Sequence, residues 1–438
     1  MRNYLLVTAA YWGFTLSDGA LRMLVLLHFY KLGYSPFRLA FLFLLYEAAG
    51  ILANLIGGWL ATRYGISRML VVGLSAQIAG FVLLAGLDPQ WSATASLLWV
   101  VVAQGVCGVA KDLTKTASKS AIKLTQAQAA AQASAQGGVQ ASPQGGAQGS
   151  THASTHASGQ LFRWVAWFTG SKNAMKGVGF FLGGALLESL GFANALLAMA
   201  GVLGGVLAGV VLSLPGRMGQ RKASSNAREL FAKNAGVNRL ALARVGLFAA
   251  RDVWFVVGVP VYLYSFGWSF TMVGTFLAVW TIAYGAVQGI APLLVGRSVD
   301  GLSREVPAAR HWSLALLALA GVMTALALYE AGGQPWWVVL GLGLFGVVFA
   351  VNSSVHSYLV LAYAGSEKAA EDVGFYYAAN ALGRFLGTLL SGLLYQWGGL
   401  AYALAGSSAL LLVCWITTLR LPVVATEAPM QALARDPP

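Results

Sequence analysis

Two lysines four residues apart, Lys172 and Lys176, stand in an apolar stretch running from about residue 161 to 187. A spacing of four sets both on one face of a helix. The stretch is long enough to cross a bilayer. An ammonium group at mid-bilayer costs on the order of 3 kcal/mol, so it faces a partner or a wet cavity. The glycines that follow, Gly177, Gly179, Gly183 and Gly184, allow close approach of a second helix. Charge for a ligand beside glycine for packing points to a solute site between moving helices.

Three more bases, Arg22, Arg251 and Arg384, lie in apolar stretches, as do three acids, Asp18, Glu47 and Asp252. Two readings are open. The lysines can tie helices together through ion pairs with Asp18, Asp252 or Glu47, or they can hold a ligand. Five bases against three acids favour the ligand, because a bound anion compensates the excess, and phosphate-like groups suit lysine point charges and arginine forks. Asp18 and Arg22, four apart on one helix, can pair with each other. Any of the three acids is a candidate for proton exchange, with Glu47, which has no base near it in its own span, the first choice.

Lys111, Lys115, Lys119 and Lys123 recur every four residues at the inner end of another span. Lys119 and Lys123 read as snorkelling anchors. For Lys111, beside Asp112, and Lys115, anchoring and a binding or gating role stand level; the pair could draw an anion from the cytoplasm into a low-dielectric cleft. His356, four residues after Asn352, reads as a helix contact, and Cys107 and Cys414 as small hydrophobes. No nucleophile–base array, paired metal ligands or phosphate-binding glycine loop appears. The expectation is a protein without enzyme activity, cofactor or metal.

The elements that must position these residues follow from composition. Only 10% of the residues are charged, against about 25% in a soluble domain. Apolar runs recur at 4–30, 39–61, 69–87, 93–111, 161–187, 192–213, 240–264, 271–295, 312–329, 336–357, 373–396 and 400–419. These predict an all-α membrane protein of twelve helices. The net charge of +13 is mostly topology: apart from Lys31 and Arg38 outside and the five bases within spans, the lysines and arginines fall on or beside one face. That is the positive-inside pattern, with both termini cytoplasmic, and it argues against a nucleic-acid partner; membrane lipid is the expected surroundings.

Shifting the sequence by 234 positions brings Asp18 onto Asp252, Gly33 onto Gly267, Ser35 onto Ser269 and Arg63 onto Arg297. A shift of 208 brings Lys176 onto Arg384, Gly179 onto Gly387, Gly184 onto Gly392 and Gly191 onto Gly399. Two pseudo-symmetric six-helix halves follow, with a solute site near the midplane between them. The N-terminal half comprises 1–125 and 161–214, interrupted by 126–160, a Gln/Ala/Gly/Ser-rich cytoplasmic insert expected to be disordered. Residues 215–239 read as a cytoplasmic linker, 240–420 as the C-terminal half and 421–438 as a cytoplasmic tail.

The loop Gly58-Trp59-Leu60-Ala61-Thr62-Arg63-Tyr64-Gly65-Ile66-Ser67-Arg68 resembles the loop signature of the major facilitator superfamily, with Thr62 where that family usually has aspartate. The runs Lys111 to Lys123, Thr169 to Gly184, Ala250 to Pro260 and Thr15 to Met23 are similar to the organoarsenical efflux permeases of the ArsJ type. The resemblance covers nearly the whole chain outside the insert. It implies a major facilitator fold in the cell inner (plasma) membrane. It also implies efflux of 1-arseno-3-phosphoglycerate, the ester made when glyceraldehyde-3-phosphate dehydrogenase uses arsenate in place of phosphate, and hence arsenate resistance. A phosphorylated-metabolite or multidrug antiporter on the same fold is the alternative, and a membrane-embedded enzyme or sensor the more distant one.

Overall fold

The computed structural model describes residues 2–137, 149–215, 234–295, 298, 301–329, 335–363 and 369–423. Eleven helices follow in order: α1 (Arg2–Lys31), α2 (Pro36–Tyr64), α3 (Ile66–Ala85), α4 (Ala93–Gly137), α5 (Gly149–Ser213), α6 (Ala235–Phe255), α7 (Gly258–Ser265), α8 (Phe270–Leu294), α9 (Glu305–Leu328), α10 (Trp336–Tyr363) and α11 (Ala369–Leu419). Among the described residues, eight helical segments are long and apolar enough to cross a membrane. This is the build of a multi-pass membrane protein.

Eleven elements stand where twelve spans are expected, because two pairs of spans are joined and one span is divided. α5 and α11 each consist of two helical limbs meeting at a kink whose glycines lie outside helical geometry, Gly191 (φ 74°) and Gly398–Gly399 (Gly399 φ 60°). A positive φ is where glycine alone is unstrained. The expected single span at 240–264 is divided into α6 and α7 at Val256–Val257. The reason is Pro260, whose ring would strike the carbonyl of residue 256 in a continuous helix and which has no N–H to donate to it. Ser391 of α11 covers the gap: its Oγ accepts from the N–H groups of Val257 (3.1 Å) and Gly258 (3.2 Å).

The low-complexity insert also departs from expectation. α4 continues into it to Gly137 and α5 begins within it at Gly149. Alanine and glutamine are good helix formers, so such a sequence extends a helix already nucleated by its neighbour. Residues 138–148, most of the linker, most of the C-terminal tail and Arg297 lie outside the described residues.

The internal repeat is visible in the backbone. Gly33 (φ 82°) and Gly267 (φ 84°) end their helices with the same turn: Gly33 N–H donates to the Tyr30 carbonyl and Gly267 N–H to the Tyr264 carbonyl, both at 2.9 Å. Ser35 and Ser269 then cap α2 and α8 through Arg38 N–H and Met272 N–H. Gly191 and Gly399 form a second matched pair of positive-φ positions.

The repeat also governs how the halves meet. A Cβ on Gly184 of α5 would lie 2.5 Å from the Phe270 carbonyl oxygen of α8, and one on Gly392 of α11 would lie 2.5 Å from the Pro36 carbonyl oxygen of α2. Pro36 and Phe270 are themselves 234 positions apart. One turn on, Glu188 of α5 accepts from Thr271 N–H, and Gln396 of α11 accepts from Phe37 N–H, both at 3.2 Å. Each half thus caps the other's second helix in the same way, closing one end of the bundle with two equivalent contacts.

Candidate functional site

Between the halves, on the faces of α1, α2, α4, α6 and α11, the intramembrane charges meet. Glu47 of α2 is buried, with 1% of its surface exposed, and receives three cations from other helices. Arg22 of α1 hydrogen-bonds Glu47 Oε1, Arg384 Nη2 of α11 reaches the same oxygen at 2.7 Å, and Lys111 Nζ of α4 lies 3.6 Å from Oε2. Arg384 continues the chain: its Nε lies 3.5 Å from Asp252 Oδ2 on α6. Arg251, the neighbour of Asp252, donates from Nε to Asp252 Oδ1 at 2.6 Å. A single run of ion pairs therefore passes from α1 and α2 through α11 to α6, joining the two halves.

The acids stand behind and the bases in front. Asp252 is 1% exposed, whereas Lys111, Arg251 and Arg384 are half-buried. Aromatic rings flank the cations: Lys111 Nζ lies 3.8 Å from the Tyr46 ring centroid, Arg22 lies over Phe43 and Tyr46, and Arg251 lies over Phe248 and Phe349. Such rings favour a cation in low dielectric without neutralising it.

Lys176 differs from the others. It is half-buried on α5, with Nζ 5.5 Å from the Phe180 ring centroid. Arg384, Arg22, Arg251 and Asp18 all act on it electrostatically, yet among the described residues no carboxylate comes within ion-pair reach of it. Lys172, one turn away on the same helix, is also half-buried. The repeat places Lys176 opposite Arg384, but the two are held differently: Arg384 carries two acids and Lys176 none. A half-buried cation in a membrane-spanning helix with no carboxylate in reach faces either a wet cavity or a ligand.

Several expectations change. Asp18 and Arg22 do not pair with each other, because tertiary partners outcompete the neighbour on the same helix. Asp18 Oδ1 accepts from the Tyr46 hydroxyl at 2.5 Å, and Arg22 turns to Glu47. Glu47 is alone in its own span but not in the fold. Lys111 and Lys115 both touch Asp112, at 3.7 and 3.4 Å, and Lys115 Nζ also donates to Asn54 Oδ1 at 2.9 Å. They sit beside the central cluster, Lys111 within it and Lys115 one turn away. Of the other intramembrane polar groups, Asn352 donates to Ser313 Oγ at 3.0 Å, and His356 is buried with neither ring nitrogen hydrogen-bonded.

Sequence reasoning passed over two residues. Tyr46 supports Asp18, Lys111 and Arg22 at once, and its position next to Glu47 was the available signal. Arg244 lies two helical turns before Arg251 on the same face of α6; near the end of a span, it reads from sequence as another inner-face charge.

No family model and no curated protein matches this sequence. Two solved structures share its architecture. One is a POT family transporter in complex with 5-aminolevulinic acid, at TM-score 0.66 and 14% identity over 95% of both chains. The other is a POT family transporter in complex with a thioalcohol-conjugated peptide, at TM-score 0.65 and 12% identity, again over 95% of both chains. At those identities the likeness is one of fold, and the chain has the helical architecture of these transporters.

Proposed function

We propose that the chain is a secondary active transporter of the major facilitator type. On this reading the limbs of α5 and α11 are separate crossings, giving twelve, and both termini are cytoplasmic in the inner membrane. The cargo is an anionic organoarsenical, 1-arseno-3-phosphoglycerate, and its export confers arsenate resistance. The observation that carries the proposal is Lys176: a half-buried cation with no acid partner among the described residues, set among Arg22, Arg251 and Arg384 at the junction of the halves.

The mechanism follows from the ion pairs. In the empty site Glu47 and Asp252 hold Arg384, so that base is compensated and the halves are tied. An oxyanion seated against Lys176, with Lys172 at its rim, competes for Arg384, Arg22 and Arg251. Lys111 and Lys115 lie at the cytoplasmic approach. As Arg384, with Arg22 and Arg251, turns to the solute, Glu47 keeps only Lys111 and Asp252 loses both its arginines, and a buried carboxylate stripped of its partners takes up a proton rather than remain charged. Asp18 is the third candidate for that proton. Substrate binding and protonation are then linked at the same arginine, which couples transport to protons.

A second reading is a carrier for zwitterions. It is favoured by the presence of carboxylates and cations in one site, which suits an amine and an acid on the same solute, and by the ligands named for the two structural neighbours.

Expression in an arsenic-sensitive cell, with and without glyceraldehyde-3-phosphate dehydrogenase, tests the assignment. The expected result is protection against arsenate but not arsenite, dependent on the dehydrogenase and lost in Lys172→Ala and Lys176→Ala variants that insert normally. Wild-type resistance in both variants sinks the site, and protection without the dehydrogenase sinks the substrate.

A further inference from the structure

A second cation lies in the interior of the C-terminal half with no acid to balance it among the described residues. Arg244 of α6 is 4% exposed. Its Nε donates to Asn380 Oδ1 of α11 at 3.0 Å, and its Nη1 donates to the Ser353 carbonyl of α10 at 2.9 Å. Both acceptors are neutral. Among the described residues no carboxylate reaches the guanidinium, and three of its five N–H bonds have no hydrogen-bond acceptor.

Its neighbours are rings and further unsatisfied groups. The guanidinium lies 4.0 Å from the Phe248 ring centroid and 5.0 Å from that of Tyr376. His356, also within its field, is fully buried with Nδ1 and Nε2 unbonded. A buried charge is ordinarily paired, and a buried polar atom ordinarily bonded. Here a cation lacking an anion and an imidazole lacking partners share one environment.

The position gives this a purpose. Arg244, Phe248 and Arg251 occupy positions i, i+4 and i+7 on one face of α6, and Phe248 stacks with both arginines, at 4.0 and 4.8 Å. Arg244 is therefore two turns, about 10 Å along the helix axis, from the central cluster, towards the end of α6 that follows the linker. The ring centroid of the adjacent Tyr377 lies 5.7 Å from Lys115 Nζ. Consecutive tyrosines of α11 thus take one cation from each half.

We propose that Arg244, oriented by Asn380 and the Ser353 carbonyl, is a second oxyanion-binding residue, a waiting position between the linker side and the central site. It rests on the reading of the central cluster as an anion site. A solute group of phosphate or carboxylate type bonds the free N–H edge of Arg244 and accepts from His356, then passes along the Phe248 face to Arg251 and Arg384. Lysine at this position keeps the charge but not the planar fork.

Arginine-selective labelling with phenylglyoxal on the wild-type full-length protein in lipid nanodiscs tests this without altering the fold. Each modified arginine is mapped by mass spectrometry, with and without inorganic phosphate. The expected result is that Arg244 is labelled, and that its labelling slows about tenfold at phosphate about ten times its Kd, since only about a tenth of sites then remain free. Absence of labelling at Arg244, or labelling that phosphate leaves unchanged, overturns the proposal. Protection of Arg251 and Arg384 reports the central site separately: protection there without protection of Arg244 removes only this inference, and protection at none of the three removes the parent reading too. Arg244→Lys is expected to fold and to lose several-fold in phosphate affinity; phosphate affinity equal to that of the wild type also counts against the proposal.

Discussion

Glu47 and Arg384 stand 337 positions apart in the sequence, yet Arg384 Nη2 meets Glu47 Oε1 at 2.7 Å, bonding the second helix of one half to the penultimate limb of the other. Because Arg384 also reaches Asp252 and Glu47 also holds Arg22 and Lys111, this contact is the middle link of the charge run between the halves.

Removing the Glu47 charge leaves three cations facing one another. Glu47→Gln is expected to destabilise the protein by about 3–5 kcal/mol, the usual cost of orphaning buried partners. Thermal unfolding in detergent checks this. Glu47→Gln combined with Arg384→Gln should recover part of the loss, with a coupling of about 0.5–3 kcal/mol between the two sites. Additive losses would show that the pair does not act as a unit.

Lys176 predicts the opposite split. With no carboxylate partner among the described residues to orphan, Lys176→Gln should leave the melting temperature unchanged or raise it. It should weaken the solute's apparent affinity about 10- to 100-fold, the worth of one charge-assisted hydrogen bond. Melting curves and transport KM, measured on the same preparation, separate the two effects. A fall in stability would reveal a structural ion pair instead.

The matched glycines make a symmetric prediction. Gly184→Ala and Gly392→Ala each push a methyl group against a backbone carbonyl of the opposite half. Overpacking of this kind costs about 1–3 kcal/mol. The two variants are expected to behave alike, raising the reactivity of cysteines introduced at Thr271 and Phe37 towards an impermeant maleimide. A large effect from one glycine alone would contradict the equivalence of the two contacts.

Glu188 and Gln396 perform the same capping task with different chemistry. Glu188→Gln should therefore be nearly neutral, because a glutamine already serves at the equivalent place. Glu188→Ala should cost about 1 kcal/mol or less at this exposed cap. Equal losses from both variants, read by thermal unfolding, would show that the Glu188 charge rather than the bond to Thr271 matters.

Much of this organisation was legible in the sequence. Hydrophobic run lengths located the helices, and paired glycines such as Gly33 with Gly267 revealed the repeat, because a positive φ restricts the choice of residue. The charged residues of the site stood out because charge in an apolar span is costly. Their pairings did not, since the partners of Glu47 come from three other helices and no local spacing encodes them. Asp18 and Arg22 show the limit: a favourable i,i+4 spacing lost to Tyr46 and Glu47. The break before Pro260 was signalled by the proline itself, but the tight kinks at Gly191 and Gly399 were not, because a glycine between apolar runs fits a bend as well as a loop. Arg244 stayed hidden because burial, not residue type, sets it apart.

The central claim, that an anionic organoarsenical crosses the membrane at the Lys176 site, is tested most directly in everted membrane vesicles. The ester is generated outside them by glyceraldehyde-3-phosphate dehydrogenase, arsenate and substrate, and arsenic retained inside is counted under an imposed proton gradient. The account predicts accumulation that requires the dehydrogenase and the gradient and is abolished by Lys176→Ala. Accumulation that is indifferent to Lys176, or its absence in wild-type vesicles with the ester present, would contradict it.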